Sequence, residues 1–139
     1  MIDVRAYQEV IGYEFKKIEL LEQAFVHRSY VNENPKLKFG HNERLEFLGD
    51  AVLELVATNF LYAKYPEKDE GDLTAYRAAL DKAVLMGDIA RDIGMNEFLM
   101  LSKGESRDTG RARSIILADT FEAVIGAIYL DGGYEPAKD

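Results

Sequence analysis

The seventeen residues from Ser114 to Leu130, SIILADTFEAVIGAIYL, carry two charges, Asp119 and Glu122. A helix this apolar on every side has no face for water, so the rest of the chain must pack around it. Ile116, Val124 and Ile128 supply bulk. The small Ala118, Ala123, Gly126 and Ala127 let a neighbouring helix come close. The two acids stand at i,i+3 and share one side of the helix. Carboxylates inside a core are costly unless a cation accompanies them. That cation is either a structural partner, with Arg44 and Arg113 as candidates, or a bound metal.

A second group of acids lies in HNERLEFLGDAVLEL, His41–Leu55. With Glu43 at zero and about 100° per residue, Glu46 falls at roughly 300°, Asp50 at roughly 340° and Glu54 at roughly 20°. Leu45, Leu48, Val52, Leu55 and Val56 fall between about 120° and 220°, which marks them as the core side. No Lys or Arg stands three or four residues from Asp50, so the acid stripe has little neutralisation of its own. Phe47, at roughly 40°, sits on the acidic side. A large aromatic there suggests that this surface meets something.

If the two helices lie side by side, Glu46, Asp50, Asp119 and Glu122 converge. Four oxygen ligands suit a hard ion, Mg²⁺ or Mn²⁺, rather than zinc or copper. Such an ion is the usual equipment for hydrolysing phosphate esters. The histidines, His27 and His41, stand in no Glu-x-x-His pair, which counts against a di-iron bundle. No P-loop, zincin or calcium-loop pattern is present, and no small-molecule organic cofactor is expected.

At 139 residues and 47% apolar, the chain has the length and core of one domain, residues 1–139. Cysteine is absent, which excludes disulfides, a thiolate metal site and a cysteine nucleophile, and fits a reducing cytoplasm. The opening MIDVRAYQEV lacks a secretory pattern. No apolar run approaches the roughly 18 residues that span a bilayer, so no membrane partner is expected. The net charge of -8 argues against a general nucleic-acid binder. Distribution matters more. From His41 to Asp72 eight acids face three bases, net -5, whereas Lys103 to Arg113 holds four bases and two acids, net +2.

Apolar spacing is helical nearly throughout, and no hairpin pattern occurs, so the expectation is an all-α domain. Helices are predicted over Val4–Val10, ended by Gly12, and over Lys17–Arg28. A loop follows over Asn32–Gly40, then a long helix over Asn42–Lys64 stopped by Pro66. The next helix starts with Asp72 or Thr74 as its cap and runs towards Gly94, with a bend near Asp81 or Gly87. Ser102–Gly110 is a polar loop, and the last helix, Ser114–Leu130, ends at Gly132-Gly133.

The motifs together resemble one family. HNERLEFLGDAVL, from His41 to Leu53, closely resembles the signature of the ribonuclease III endonuclease domain. Phe25-Val26-His27-Arg28-Ser29-Tyr30 is similar to that family's early His-x-Ser stretch. Asp69-Glu70-Gly71-Asp72-Leu73-Thr74 with Arg77-Ala78 is similar to its middle motif. Leu101–Glu105 and Ile116–Ala123 through Asp131 complete the order. The resemblance covers essentially the whole chain.

It implies the ribonuclease III endonuclease-domain fold and a metal-dependent endoribonuclease. Such an enzyme hydrolyses double-stranded RNA to 5′-phosphates and 3′-hydroxyls with short 3′ overhangs, in rRNA and mRNA processing. The family's metal carboxylates fall on Glu46, Asp50, Asp119 and Glu122, with Asp50 and Glu122 catalytic. Glu43 and Glu70 match supporting positions. Phe47 matches the aromatic that inserts into the partner of a homodimer. Family members usually continue into a double-stranded-RNA-binding domain, so this chain, ending at Asp139, is expected to be a piece of a longer enzyme. Two other readings compete: a non-catalytic double-stranded-RNA-binding or ribosome-associated domain of the same fold, and an acidic helical interaction module.

Overall fold

In the computed structural model the apolar run at the C-terminal end is the central helix. The structure describes residues 6–33, 40–80, 83–99, 101, 111–134 and 136. Seven α-helices are described: α1 (Tyr7–Ile11), α2 (Ile18–Ala24), α3 (Arg28–Glu33), α4 (Glu43–Lys64), α5 (Glu70–Leu80), α6 (Ala83–Asp92) and α7 (Arg111–Gly132). A 3₁₀ turn spans Met95–Phe98, and no strand occurs among the described residues. The fold is all-α, as the apolar spacing predicts. No helix is long and apolar enough to cross a membrane among the described residues.

Helix α7 packs against α4, α6 and α2, and most of its apolar side chains are buried. Leu117, Ala123 and Ala127 are inaccessible to solvent and join Phe25, Val26, Leu21 and Met95 in the core. Two glycines set its distance from α4. A Cβ on Gly49 would overlap the carbonyl oxygen of Glu122 and lie 3.0 Å from the Gly126 nitrogen. A Cβ on Gly126 would overlap the Leu45 carbonyl oxygen. The helices therefore cross backbone to backbone, which only residues without a side chain permit. Gly87, predicted as a possible bend, is instead a contact inside α6, where a Cβ would come 2.7 Å from the Ser114 carbonyl oxygen. Asp81, the other bend candidate, lies outside the described residues.

The predicted helix over Lys17–Arg28 is two helices with a break at Phe25–His27. Asn42 makes the break. Its backbone N–H donates to the Val26 carbonyl at 2.9 Å and its Nδ2 to the Ala24 carbonyl at 2.9 Å. These bonds from the start of α4 end α2 where local periodicity would continue it. Helix α3 then runs to Glu33, inside the predicted loop, and residues 34–39 lie outside the described part. Elsewhere the boundaries shift by a few residues. Tyr7–Ile11 ends at Gly12, at φ 69°, whose N–H reaches the Gln8 carbonyl. Asp69, rather than Asp72 or Thr74, caps α5, its carboxylate accepting the Asp72 N–H at 2.8 Å.

The last helix begins at Arg111, one turn early. This changes the basic segment read over Lys103–Arg113. Arg113 is buried and donates to Asn96 Oδ1 at 2.7 Å, so it is core rather than surface charge. Lys103 and Arg107 lie outside the described residues.

Candidate metal centre

Because the α4–α7 crossing lies at Gly49, the buried row on α4 is Leu45, Gly49 and Val52. This row is rotated towards the acid stripe relative to the predicted core face. Leu55, predicted to face inward, is 50% exposed for that reason. The same rotation half-buries Glu46 at the helix seam and leaves Glu43, Asp50 and Glu54 exposed.

Across the seam stand the two acids of α7. Carboxylate oxygens of Glu46, Asp119 and Glu122 lie within 4.8 Å of one another. Ligands about 2.1 Å from an octahedral Mg²⁺ are separated by up to roughly 4.2 Å, so a small inward movement would fit them to one ion. Asp50 lines the same cleft, one turn along α4, and stands outside the close trio. Glu43 and Phe47 line it too, with His27, Arg28, Asn42 and Ile116. Glu70, in the first turn of α5, is exposed and is not one of the cleft residues. Glu54, the fourth acid of the stripe, pairs with Arg77 at 3.6 Å and belongs to the α4–α5 contact.

The electrostatics fit a site built for a cation. Burial pushes the Glu46 carboxyl up to about 7, and the charge of Asp119, a hydrogen bond to it, and the charges of Glu43 and Asp50 push the same way. Asp119 is also raised by burial, against the hydrogen bond from Glu46 and the field of His27. In the absence of a cation burial and mutual charge thus favour a proton on this pair. A divalent ion would replace that proton with far stronger compensation. Arg28 pairs with Glu43 at 3.3 Å on the cleft rim, where both side chains are largely exposed. Arg44 is exposed.

The comparisons with known proteins give the family of the chain. A family model described as Ribonuclease-III-like matches residues 17–139. The chain belongs to the ribonuclease III family. It is 52% identical over 131 residues to Ribonuclease 3 of Bacillus licheniformis, covering 94% of this chain and 53% of that protein. Ribonuclease 3 of Streptococcus gordonii is 48% identical, over 92% of this chain and 55% of its own. The chain thus spans about half the length of the relatives it matches. Among solved structures it is similar to the nuclease domain of ribonuclease III from Campylobacter jejuni, with TM-score 0.88 and 40% identity over 98% of this chain and 91% of that one. That structure is described as flexible in a region involved in dimer formation. Dicer from Pichia stipitis is more distant, with TM-score 0.62 and 32% identity over 86% of this chain and 48% of that one.

Sequence reasoning missed three features of this cleft. Gly49 lies inside the quoted signature, yet nothing in the periodicity of α4 alone marks it as the crossing point. Asn42, the first residue of the predicted long helix, bonds the Ala24 carbonyl across the fold. His27 lines the cleft through a break in helix that local spacing does not show.

Proposed function

We propose that residues 1–139 form the catalytic domain of a cytoplasmic, metal-dependent endoribonuclease. It would hydrolyse double-stranded RNA to 5′-phosphate and 3′-hydroxyl ends with short 3′ overhangs, acting as a homodimer in rRNA and mRNA processing. The observation that carries this reading is the trio of carboxylate oxygens from Glu46, Asp119 and Glu122, gathered within 4.8 Å at the crossing of two helices. Membership of the ribonuclease III family supplies the reaction class.

In this reading Glu46, Asp119 and Glu122 hold Mg²⁺, or Mn²⁺ in its place. When bound there, the ion would supply positive charge to a phosphate and to an attacking water. Asp50, exposed at the mouth of the cleft, accepts a hydrogen bond from that water and orients it. Glu43 holds Arg28 at the rim, where a guanidinium can meet backbone phosphate. Glu70 would act on bound RNA from outside the cleft. Phe47, 83% exposed beside the acids, is the proposed contact with a second copy. Duplex RNA would be read by shape and 2′-hydroxyls, since its major groove is too narrow for side chains.

The test is incubation of a long RNA duplex with the domain in Mg²⁺ and in EDTA, with the two separated strands as controls. Mg²⁺-dependent cutting of the duplex alone is expected. Duplex binding without cutting in either ion would instead favour the non-catalytic RNA-binding reading.

A further inference from the structure

Asn42 lines the wall of the cleft and is 5% exposed. Most of its polar groups are engaged within the fold. The backbone N–H donates to the Val26 carbonyl and the backbone carbonyl accepts the Glu46 N–H, each at 2.9 Å. The amide Nδ2 donates to the Ala24 carbonyl, also at 2.9 Å. A carbonyl can only accept, so the side of the amide that faces Ala24 is the NH₂, and the orientation of the side chain is fixed.

Oδ1 is the group left over. No described residue donates a hydrogen bond to it, and it is not sealed in the core. A residue otherwise buried therefore turns one oxygen to the cleft. The hydrogen bond from the Glu46 N–H places that oxygen one helical turn from the acid trio.

An acceptor in this place is selective. Phosphate oxygens only accept, so a phosphate has nothing to offer Oδ1. A ribose 2′-hydroxyl can donate, it stands on the carbon beside the one that carries the 3′ phosphate, and deoxyribose lacks it. The cleft encloses about 610 Å³, which leaves room for a nucleotide.

We propose that Asn42 is a specificity residue of the cleft: its Oδ1 accepts the 2′-hydroxyl of the ribose next to the phosphate that meets the acid trio, and so selects RNA over DNA. This rests on reading the cleft as the site of RNA hydrolysis. An acceptor this buried loses its water when substrate seats. A sugar without the hydroxyl then leaves it unpaired, which typically costs about tenfold or more in affinity.

The test is a double-mutant cycle with one of the two changes made on the RNA. Duplexes carry 2′-fluoro at single positions along one strand, which keeps the A-form sugar and removes the O–H. Their binding to wild type and to Asn42→Ala is measured by fluorescence anisotropy in Ca²⁺, an ion that oxygen ligands also hold. Wild type should lose about tenfold in affinity at one position and little elsewhere. Asn42→Ala should bind the unmodified duplex about tenfold more weakly and lose nothing further at that position. A purely structural Asn42 would make the two losses multiply, and that result overturns the proposal. A wild type indifferent to 2′-fluoro at every position overturns it too. Mn²⁺ affinity without RNA, read by calorimetry, should differ by less than about threefold between the two proteins, well short of the loss expected for an outer partner of a metal ligand. A drop as large as the loss in RNA affinity would assign Oδ1 to the metal site and overturn the ribose contact. If Asn42→Ala does not fold, Asn42→Ser, whose hydroxyl keeps a donor near Ala24, takes its place in the cycle. A wild type that neither binds the duplex in Ca²⁺ nor cuts it in Mg²⁺ ends the endoribonuclease reading and this one with it.

Discussion

Glu122 is the most buried acid of the proposed metal site, 6% exposed on a helix of nearly unbroken apolar surface. Glu122→Gln changes its charge and almost none of its volume. The fold should persist by circular dichroism, whereas duplex cleavage in Mg²⁺ should fall by about 10²-fold or more, the usual scale for losing a group that stabilises transition-state charge. Cleavage within a few-fold of wild type would remove Glu122 from the metal assignment. Glu46 gives a different signal. Its carboxyl titrates near 7 in the folded domain against 4.5 ordinarily. Between those values the folded state holds a proton that the unfolded state has released, so metal-free stability falls as pH rises through that window. Allowing for solvent at a half-exposed group, the loss is on the order of 1–2 kcal/mol. Urea melts in EDTA at pH 4.5 and 7.5 should show this slope in wild type and a flatter one in Glu46→Gln. Added Mg²⁺ should restore wild type alone.

Helices α4 and α7 form the unit on which the centre depends, because each acid is placed by where the two backbones cross. Gly49→Ala tests that crossing directly. Its new methyl would overlap the Glu122 carbonyl oxygen, which belongs to a rigid helix backbone and cannot swing aside as a side chain would. Overpacking of a tight core costs about 1–3 kcal/mol, and here the displaced helix also carries Asp119 and Glu122. Metal affinity should therefore fall together with denaturant stability. Alanine at Gly40, where a Cβ meets nothing within 4 Å, is the matched control and should change neither. A Gly49→Ala domain with wild-type stability and metal binding would show that the crossing is looser than described.

Phe47 matters at the scale of the whole molecule, since a ring 83% exposed contributes little to the fold of one chain. Burying a Phe stabilises by roughly 1.5–3 kcal/mol, and a twofold interface makes the contact twice. Phe47→Ala should leave the melting of the isolated chain unchanged and weaken self-association by about 3 kcal/mol or more, read by sedimentation across a concentration series. A wild type that stays monomeric at high micromolar concentration, yet cuts both strands, would sink the homodimer. Net charge acts at this scale as well. At -8 the domain would meet RNA against its own field, so cleavage should be strongest at low salt and fade as salt rises. Salt-insensitive cleavage would contradict a binding mode carried by a few phosphate contacts.

The all-α class, the long α4 ended before Pro66, the central apolar helix and which acids share a helix side follow from sequence alone. Each is a local property: apolar spacing sets the helix faces, and i,i+3 and i,i+4 spacing sets which acids share a side. The family follows in the same way, from motifs of contiguous residues. Tertiary structure decided the rest. The point where α4 crosses α7 is set by two glycines far apart in sequence, and it half-buries Glu46 while leaving Asp50 exposed. Asn42 ends α2 from a distance of 18 residues, which no local propensity encodes. Arg113 belongs by composition to a basic surface segment, but α7 extends one turn further and carries it into the core beside Asn96. Periodicity specifies which face of a helix is apolar, and only packing specifies how far that face turns towards its neighbour.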